Sequence, residues 1–333
     1  MAKRKRPTIH EVSRLSGVSV ATVSRVIHGE SGRFSAETEA RVRQAMAALN
    51  YEPDILAQGM RRQTLPVVGV IMPDILDDSM ALMMRTVQEV LFERNYSTVF
   101  FNSDESAAKS QRYFDILHAQ HAAGVIYVPD REGVVPETYG IPVLCFDRTS
   151  SAPEGDVCIV QNNYECSAEA VGWLARSGCR RVAVLGDRYG ISMHTQRMRG
   201  ATDAIGSLSL EHSGTICVDP QKTTEAFAAL RAALDGGMRL DGIFCTSVRL
   251  TVGAMSALKD RGKDDVRVAG YGVHRLYRYG LIDYMAIYEP IREMSIAAAE
   301  RILAMINGEA VPGRQVFESR CLYAERDRRD LLS

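Results

Sequence analysis

Apolar residues recur at helical spacing over the first fifty positions, then fall into short continuous runs separated by amphipathic stretches. Thr8-x-x-Glu11 has the spacing of a capping box, so a helix is predicted from Ile9. Ile9, Val12 and Leu15 are expected on its inner face. Gly17 permits a tight turn, and Ser19 is a good N-cap for a second helix with Val23, Val26 and Ile27 inward. A third helix is predicted over 35–49, burying Val42, Ala45, Met46 and Leu49. Beyond residues 61–66 the pattern changes. Val67–Met72 is an unbroken apolar run, as in a parallel strand buried on both faces. Strands are then expected at 97–101, 124–128, 142–146, 157–160, 182–185, 214–218, 242–245, 266–271 and 285–288. Helices are expected at 79–94, 107–120, 164–176, 194–205, 223–234, 250–261 and 291–306. Such alternation argues for parallel sheets covered by helices on both faces.

Composition sharpens this picture where it is uneven. Residues 1–65 hold 11 Lys/Arg against 6 Asp/Glu, a net of +5, while the remainder nets −6 within a whole-chain charge of −1. A basic head on an acidic body is expected when only one end meets nucleic acid. Helix, tight turn, helix is the unit whose second helix enters the major groove. The outward face of that helix offers Val20, Ala21, Thr22, Ser24 and Arg25. Arg25 suits bidentate pairing with guanine, and Val20 and Ala21 suit a thymine methyl. Hydroxyls at helix starts (Thr8, Ser19, Thr22) suit phosphate oxygens. The alternative is a three-helix bundle that contacts protein, with Arg25 on a solvated face.

The segments Thr8-Ile9-x-Glu11-Val12, Gly17-Val18-Ser19-x-x-Thr22-Val23-Ser24-Arg25-Val26 and Leu49-x-Tyr51-x-Pro53 resemble the head of the LacI/GalR family of bacterial transcription regulators. The likeness extends over nearly the full length. It implies a helix-turn-helix domain at 1–62 with a hinge helix at about 54–61. There Leu56, Ala57 and Met60 would meet the minor groove, and Met60 would stand where the family's wedge is usually Leu. It also implies an effector-binding and dimerisation domain at 63–333. This body would be a two-lobed α/β unit of the periplasmic-binding-protein type (type I). Lobe 1 would comprise 66–160 and 290–319, and lobe 2 would comprise 161–289 and 320–333, joined by three crossovers. The body's pattern looks somewhat closer to the trehalose and sucrose/fructose repressors.

Ligands of open α/β sheets bind beyond the carboxyl ends of strands. That rule nominates Asp74, Asp77, Asp147, Arg148, Asn162, Arg197, Ser247, His274 and Glu289 as effector-binding residues. Carboxylates and arginines suit a polyhydroxylated ligand. Asp147 and Arg197 also match the resemblance's effector positions. The sequence departs from the family at Ser247-Val248, where Asn-Asp is common, at Gly272, where Asp is common, and at Glu289, where Gln is usual. Two carboxylates used for hexoses are thus expected to be missing, which points toward a disaccharide or a sugar phosphate.

Other chemistry is weaker. The seven cysteines are odd in number and have no C-x-x-C, so they read as reduced thiols in a cytoplasmic protein. His118 and His121 have metal-compatible spacing but no third ligand nearby. Neither a nucleotide-binding loop nor a catalytic motif is evident, and no cofactor is expected. Met80, Leu82, Met83, Met84, Val87, Val90 and Leu91 cover more of their helix than a core needs, which suggests a homodimer interface; a tetramer is left open. Neither a signal peptide nor a membrane-spanning run is expected. The resulting expectation is a non-enzymatic, operator-binding repressor of a carbohydrate operon, released by a sugar, disaccharide or sugar phosphate. Alternatives are a co-repressor-dependent or activating regulator with a non-sugar effector, and an α/β sugar or nucleotide enzyme with a DNA anchor.

Overall fold

The computed structural model describes residues 7–27, 34–49, 51, 64–131, 133–134, 136–150, 157–273, 277, 280 and 282–323. The chain divides into two compact units, Met1–Pro66 and Val67–Ser333.

In the first unit, α1 (Ile9–Ser16), α2 (Val20–Ile27) and α3 (Ala36–Leu49) enclose a small core. Val12, Val23, Val26, Val42 and Ala45 are buried, with Ile9, Ile27, Met46 and Leu49 packed at its edge. The capping-box pair is present: the Thr8 amide and hydroxyl reach Glu11 Oε2 at 2.6 and 3.0 Å. Gly17 ends α1 at φ +69°, a conformation that Gly adopts without strain. Leu15 differs from the expectation. It is 55% exposed, and Ser16 is buried in its place, giving its hydroxyl to Val12 O. Six residues correspond to 600° of helix, which carries Leu15 off the face that Ile9 begins, whereas seven residues return to it.

The second unit contains two six-stranded sheets in orders β11-β5-β4-β3-β1-β2 and β12-β10-β9-β8-β6-β7. The first holds β1 (Leu65–Met72), β2 (Ser97–Asn102), β3 (Ala122–Tyr127), β4 (Val143–Phe146), β5 (Cys158–Gln161) and β11 (Arg314–Phe317). The second holds β6 (Arg181–Asp187), β7 (Glu211–Val218), β8 (Gly242–Cys245), β9 (Arg267–Tyr271), β10 (Met285–Tyr288) and β12 (Arg320–Leu322). Neighbours such as β1 with β2 and β8 with β9 run parallel, while β12 runs antiparallel to β10.

Helices cover both faces of each sheet, which explains why the strands are apolar along their whole length. Against the first sheet lie α4 (Asp78–Glu93), α5 (Ala107–Ala119) and α10 (Ile291–Ile306). Met83, Val87 and Leu91 of α4 share one core with Met294, Ala298 and Ile302 of α10. The second sheet carries α6 (Asn163–Arg176), α7 (Ser192–Ser207), α8 (Thr223–Asp235) and α9 (Val248–Asp260). The chain passes between sheets three times: after β5, after β10, and between β11 and β12. The three-residue strand β12 lies outside the sequence expectation, and so does β11. Its four residues form a half-exposed edge beside β5 and carry no long apolar run. No helix among the described residues is long and apolar enough to cross a membrane.

Candidate DNA-reading helix and ligand cleft

In the first unit, Ser19 caps α2, its hydroxyl accepting the Thr22 amide at 3.1 Å. Val23 and Val26 anchor the inner face, so the helix exposes Ala21 and Arg25 and leaves Val20, Thr22 and Ser24 half-buried. A rigid apolar back with a short polar front is the form a base-reading helix needs. Thr8, at the start of α1, is also exposed. The hinge nominees Leu56, Ala57 and Met60 lie outside the described residues.

In the second unit, the carboxyl ends of both sheets face one cleft. Asp74, Asp77, Asp147, Arg148, Arg197, Ser247 and Glu289 line it together, joined by Met80, Gln221 and Val248. His274 lies outside the described residues. Asn162 does not line the cleft. Its Oδ1 instead accepts the Ser319 amide at 2.8 Å, tying the first crossover to the third.

The cleft's charges are matched internally. Arg148 makes a bidentate pair with Glu105, both bonds 3.0 Å, and also donates to Pro129 O. Arg249 Nη2 lies 2.8 Å from Asp74 Oδ2. Arg197, 1% exposed, engages all three of its guanidinium nitrogens. Nε donates to Asn163 Oδ1 at 2.7 Å, Nη1 to Thr246 O at 2.9 Å and Nη2 to Glu289 Oε1 at 2.7 Å. Its carbon centre sits 3.6 Å from the middle of the Tyr271 ring. Burial opposes the Arg197 charge, but Glu289, Tyr271 and Asp147 outweigh it and hold the pKa above the ordinary value. Asp77 caps α4 through the Ser79 and Met80 amides. Burial nevertheless pushes its carboxyl above the usual range, with Arg249 opposing. His194 bonds Thr246 Oγ1 at 3.0 Å. Burial first, then Arg197 and Arg148, hold this imidazole well below its ordinary 6.5.

Several bonds span the cleft from lobe to lobe. Besides Asp74–Arg249, Gln221 Nε2 donates to Glu105 Oε1 at 2.6 Å and the Thr149 amide to Ser192 Oγ at 3.1 Å. Arg131 lies 4.3 Å over the Tyr189 ring. Gln161, at the first crossover, collects the others. Its amide nitrogen donates to Asp147 Oδ1 at 2.7 Å and Glu289 Oε1 at 3.3 Å, while its oxygen accepts from Ser319 Oγ at 2.6 Å. One side chain thereby touches lobe 1 and the other two crossovers. Asp147 is held at φ +62°, in the left-handed region that Asp and Asn adopt more readily than other side-chain-bearing residues.

The cleft also revises the count of missing carboxylates. Gly272 has φ +82°, and a Cβ there would stand 2.9 Å from Val248 Cβ and 3.6 Å from Glu289 Oε2. Glu289 therefore brings its carboxylate into the space beside Gly272, and Val248 fills the rest. The departures at 248, 272 and 289 are neighbours that compensate one another, leaving Arg197 with an acidic partner.

Glu105, Gln161, Gln221 and Arg249 were not among the sequence nominees. Glu105 and Gln221 follow the ends of β2 and β7, so the strand-end rule reaches them once it is applied to every strand. Gln161 and Arg249 carry no such signal, since one ends a strand and the other lies within a helix.

Residues 8–54 match the lacI family of bacterial regulatory proteins, and residues 68–310 match a periplasmic binding protein domain. The chain is 28% identical over 309 residues to the ribose operon repressor of Halalkalibacterium halodurans, covering 90% of each. It is 25% identical over 306 residues to the sucrose operon repressor of Pediococcus pentosaceus, covering 90% of this chain and 93% of that one. In three dimensions it resembles the Lac repressor bound to ONPG in its repressed state. The TM-score is 0.80 at 21% identity, over 96% of this chain and 99% of the other.

Proposed function

The chain belongs to the LacI family of bacterial regulatory proteins, and from that premise we propose that it represses a carbohydrate-utilisation operon and releases its operator when a neutral saccharide enters the cleft. It is a sequence-specific DNA-binding transcription regulator. The observation that carries the saccharide reading is the ionic balance of the cleft. Arg148, Arg197 and Arg249 each already face a carboxylate. A phosphate would have to compete with Glu105, Glu289 or Asp74 and would add charge beside Asp147. Sugar hydroxyls can both donate to the carboxylates and accept from the guanidiniums, so they can replace the existing bonds without leaving a charge unpaired. This favours a mono- or disaccharide over a sugar phosphate.

The cavity encloses about 70 Å³, against roughly 300–1,000 Å³ for small-molecule pockets. A saccharide therefore enters by exchanging its hydroxyls for the lobe-to-lobe bonds, which links occupancy to lobe geometry. In a dimer, moving the first lobes changes the spacing at which two heads meet two half-sites. A 100-fold change in operator affinity needs only about 3 kcal/mol of such coupling. The dimer interface is proposed on α4. Met83, Val87 and Leu91 serve the core, while Leu82 and Phe92 remain exposed. Sedimentation of wild type beside Leu82→Glu tests this, with a monomeric variant expected.

No catalytic role is assigned, and cytoplasmic residence follows from a partner that is DNA. The experiment for the whole reading is a shift assay on promoter DNA upstream of the protein's own gene, with a panel of neutral sugars and sugar phosphates. Release by a neutral sugar supports it. Tighter binding with sugar would make the ligand a co-repressor instead.

A further inference from the structure

Away from the cleft, two cysteines 155 residues apart in sequence are brought together. Cys166, in the first turn of α6, and Cys321, in β12, have sulfurs 3.8 Å apart. Glu169 lies three residues along α6, and the ligand atoms of all three residues fall within 4.8 Å of one another. Tyr323 donates its hydroxyl to the same Glu169 carboxylate. Local geometry explains the grouping. Positions i and i+3 share a helix face, so Cys166 and Glu169 point together. Alternate positions of an extended chain share a side, so Cys321 and Tyr323 do also.

We propose that Cys166, Glu169 and Cys321 form a binding site for a zinc-class divalent cation, with the Tyr323 hydroxyl or a water completing a tetrahedron. Zinc takes mixed sulfur and oxygen ligands at about 2.3 and 2.0–2.2 Å. Two sulfurs on one tetrahedral zinc stand about 3.8 Å apart by that geometry, the spacing already present. Thiolates select zinc-class ions over magnesium or calcium. Both cysteines are buried, whereas Glu169 and Tyr323 are exposed, so the site has a dry inner wall and a path from solvent. The ion would join α6, which begins at the first crossover, to β12, which follows the third. It would reinforce the Asn162–Ser319 bond between the same two crossovers.

The test is a cobalt(II) titration of the reduced, full-length protein, followed by zinc competition. One equivalent per chain is expected, with thiolate-to-cobalt charge-transfer absorption and tetrahedral visible bands that zinc abolishes. Cys166→Ser should weaken cobalt binding and lower the charge-transfer band, and Cys217→Ser should leave both unchanged, because Cys217 is exposed and remote in sequence from the cluster. Glu169 is exposed, so Glu169→Gln tests the site without burdening the core. Losing a direct ligand should weaken cobalt at least the roughly tenfold typical of losing a ligand's hydrogen-bond partner. No cobalt uptake by folded wild type overturns the assignment, as does a band whose intensity and cobalt affinity Cys166→Ser leaves unchanged. So does a folded protein that takes up no metal but forms a Cys166–Cys321 disulfide under mild oxidant.

Discussion

The proposed reading helix of the head and the proposed ligand cleft of the body are opposite solutions to recognition. On α2 the inner face is fixed by Val23 and Val26, and Ala21 and Arg25 project into solvent. In the cleft the guanidiniums of Arg148 and Arg197 are buried, and each is bonded to a carboxylate and a main-chain carbonyl. A surface that reads base edges gains from side chains held outward on a rigid back. A sensor gains from side chains that already bind one another, because a ligand must then exchange those bonds and move what they join. On the proposed reading, recognition on α2 adds contacts, whereas in the cleft it replaces them.

Removing one member of a cleft pair should therefore cost more than removing a projecting side chain. Glu289→Gln leaves the buried Arg197 without its carboxylate. Breaking such a pair typically costs about 3–5 kcal/mol, to be read from urea unfolding of the full chain. The saccharide response should disappear with it, and an unaltered midpoint would break the comparison. Gln161→Leu should follow at about 1–3 kcal/mol, since Asp147 and Ser319 lose a buried hydrogen-bond partner. Arg25→Ala should leave unfolding unchanged and lose about 1–3 kcal/mol of discrimination at one base pair, seen in competition between single-base operator variants. Uniform weakening at every base would place Arg25 on phosphate.

A smaller effect is expected from pH. The folded pKa of His194 is depressed, while in the unfolded chain it protonates near 6.5. Below that value the unfolded state binds the extra proton. The stability this residue contributes is thus complete above about pH 6.5 and is lost as the pH falls toward the folded pKa. Unfolding midpoints at pH 5, 6 and 7 should fall with acid in wild type and fall less in His194→Gln. Equal slopes would remove His194 from the account.

The same contrast explains what could be read in the sequence. The head was legible because its signals are local: a capping box, a turn glycine and helical spacing over a few residues. Leu15 misled because a step of three was followed once too often around the helix. Alternating apolar runs gave the parallel-sheet body, the family resemblance gave its two lobes, and the short strands β11 and β12 escaped. In the cleft, strand ends nominated Asp74, Asp147 and Ser247, but partners such as Glu105 and Arg249 are set by tertiary contact. Glu289 looked like a departure until the fold placed it beside Gly272. The Cys166–Cys321 contact likewise has no local trace, since the chain makes two crossovers between them.

The most direct measurement is a quantitative operator titration, by fluorescence anisotropy on the promoter duplex, of wild type and Glu289→Gln with and without the responding neutral saccharide. The account predicts equal operator affinity for both proteins without sugar, and a sugar-induced loss of about 100-fold in wild type alone. Release of wild type by sugar phosphates but by no neutral sugar, or an undiminished response in Glu289→Gln, would contradict it.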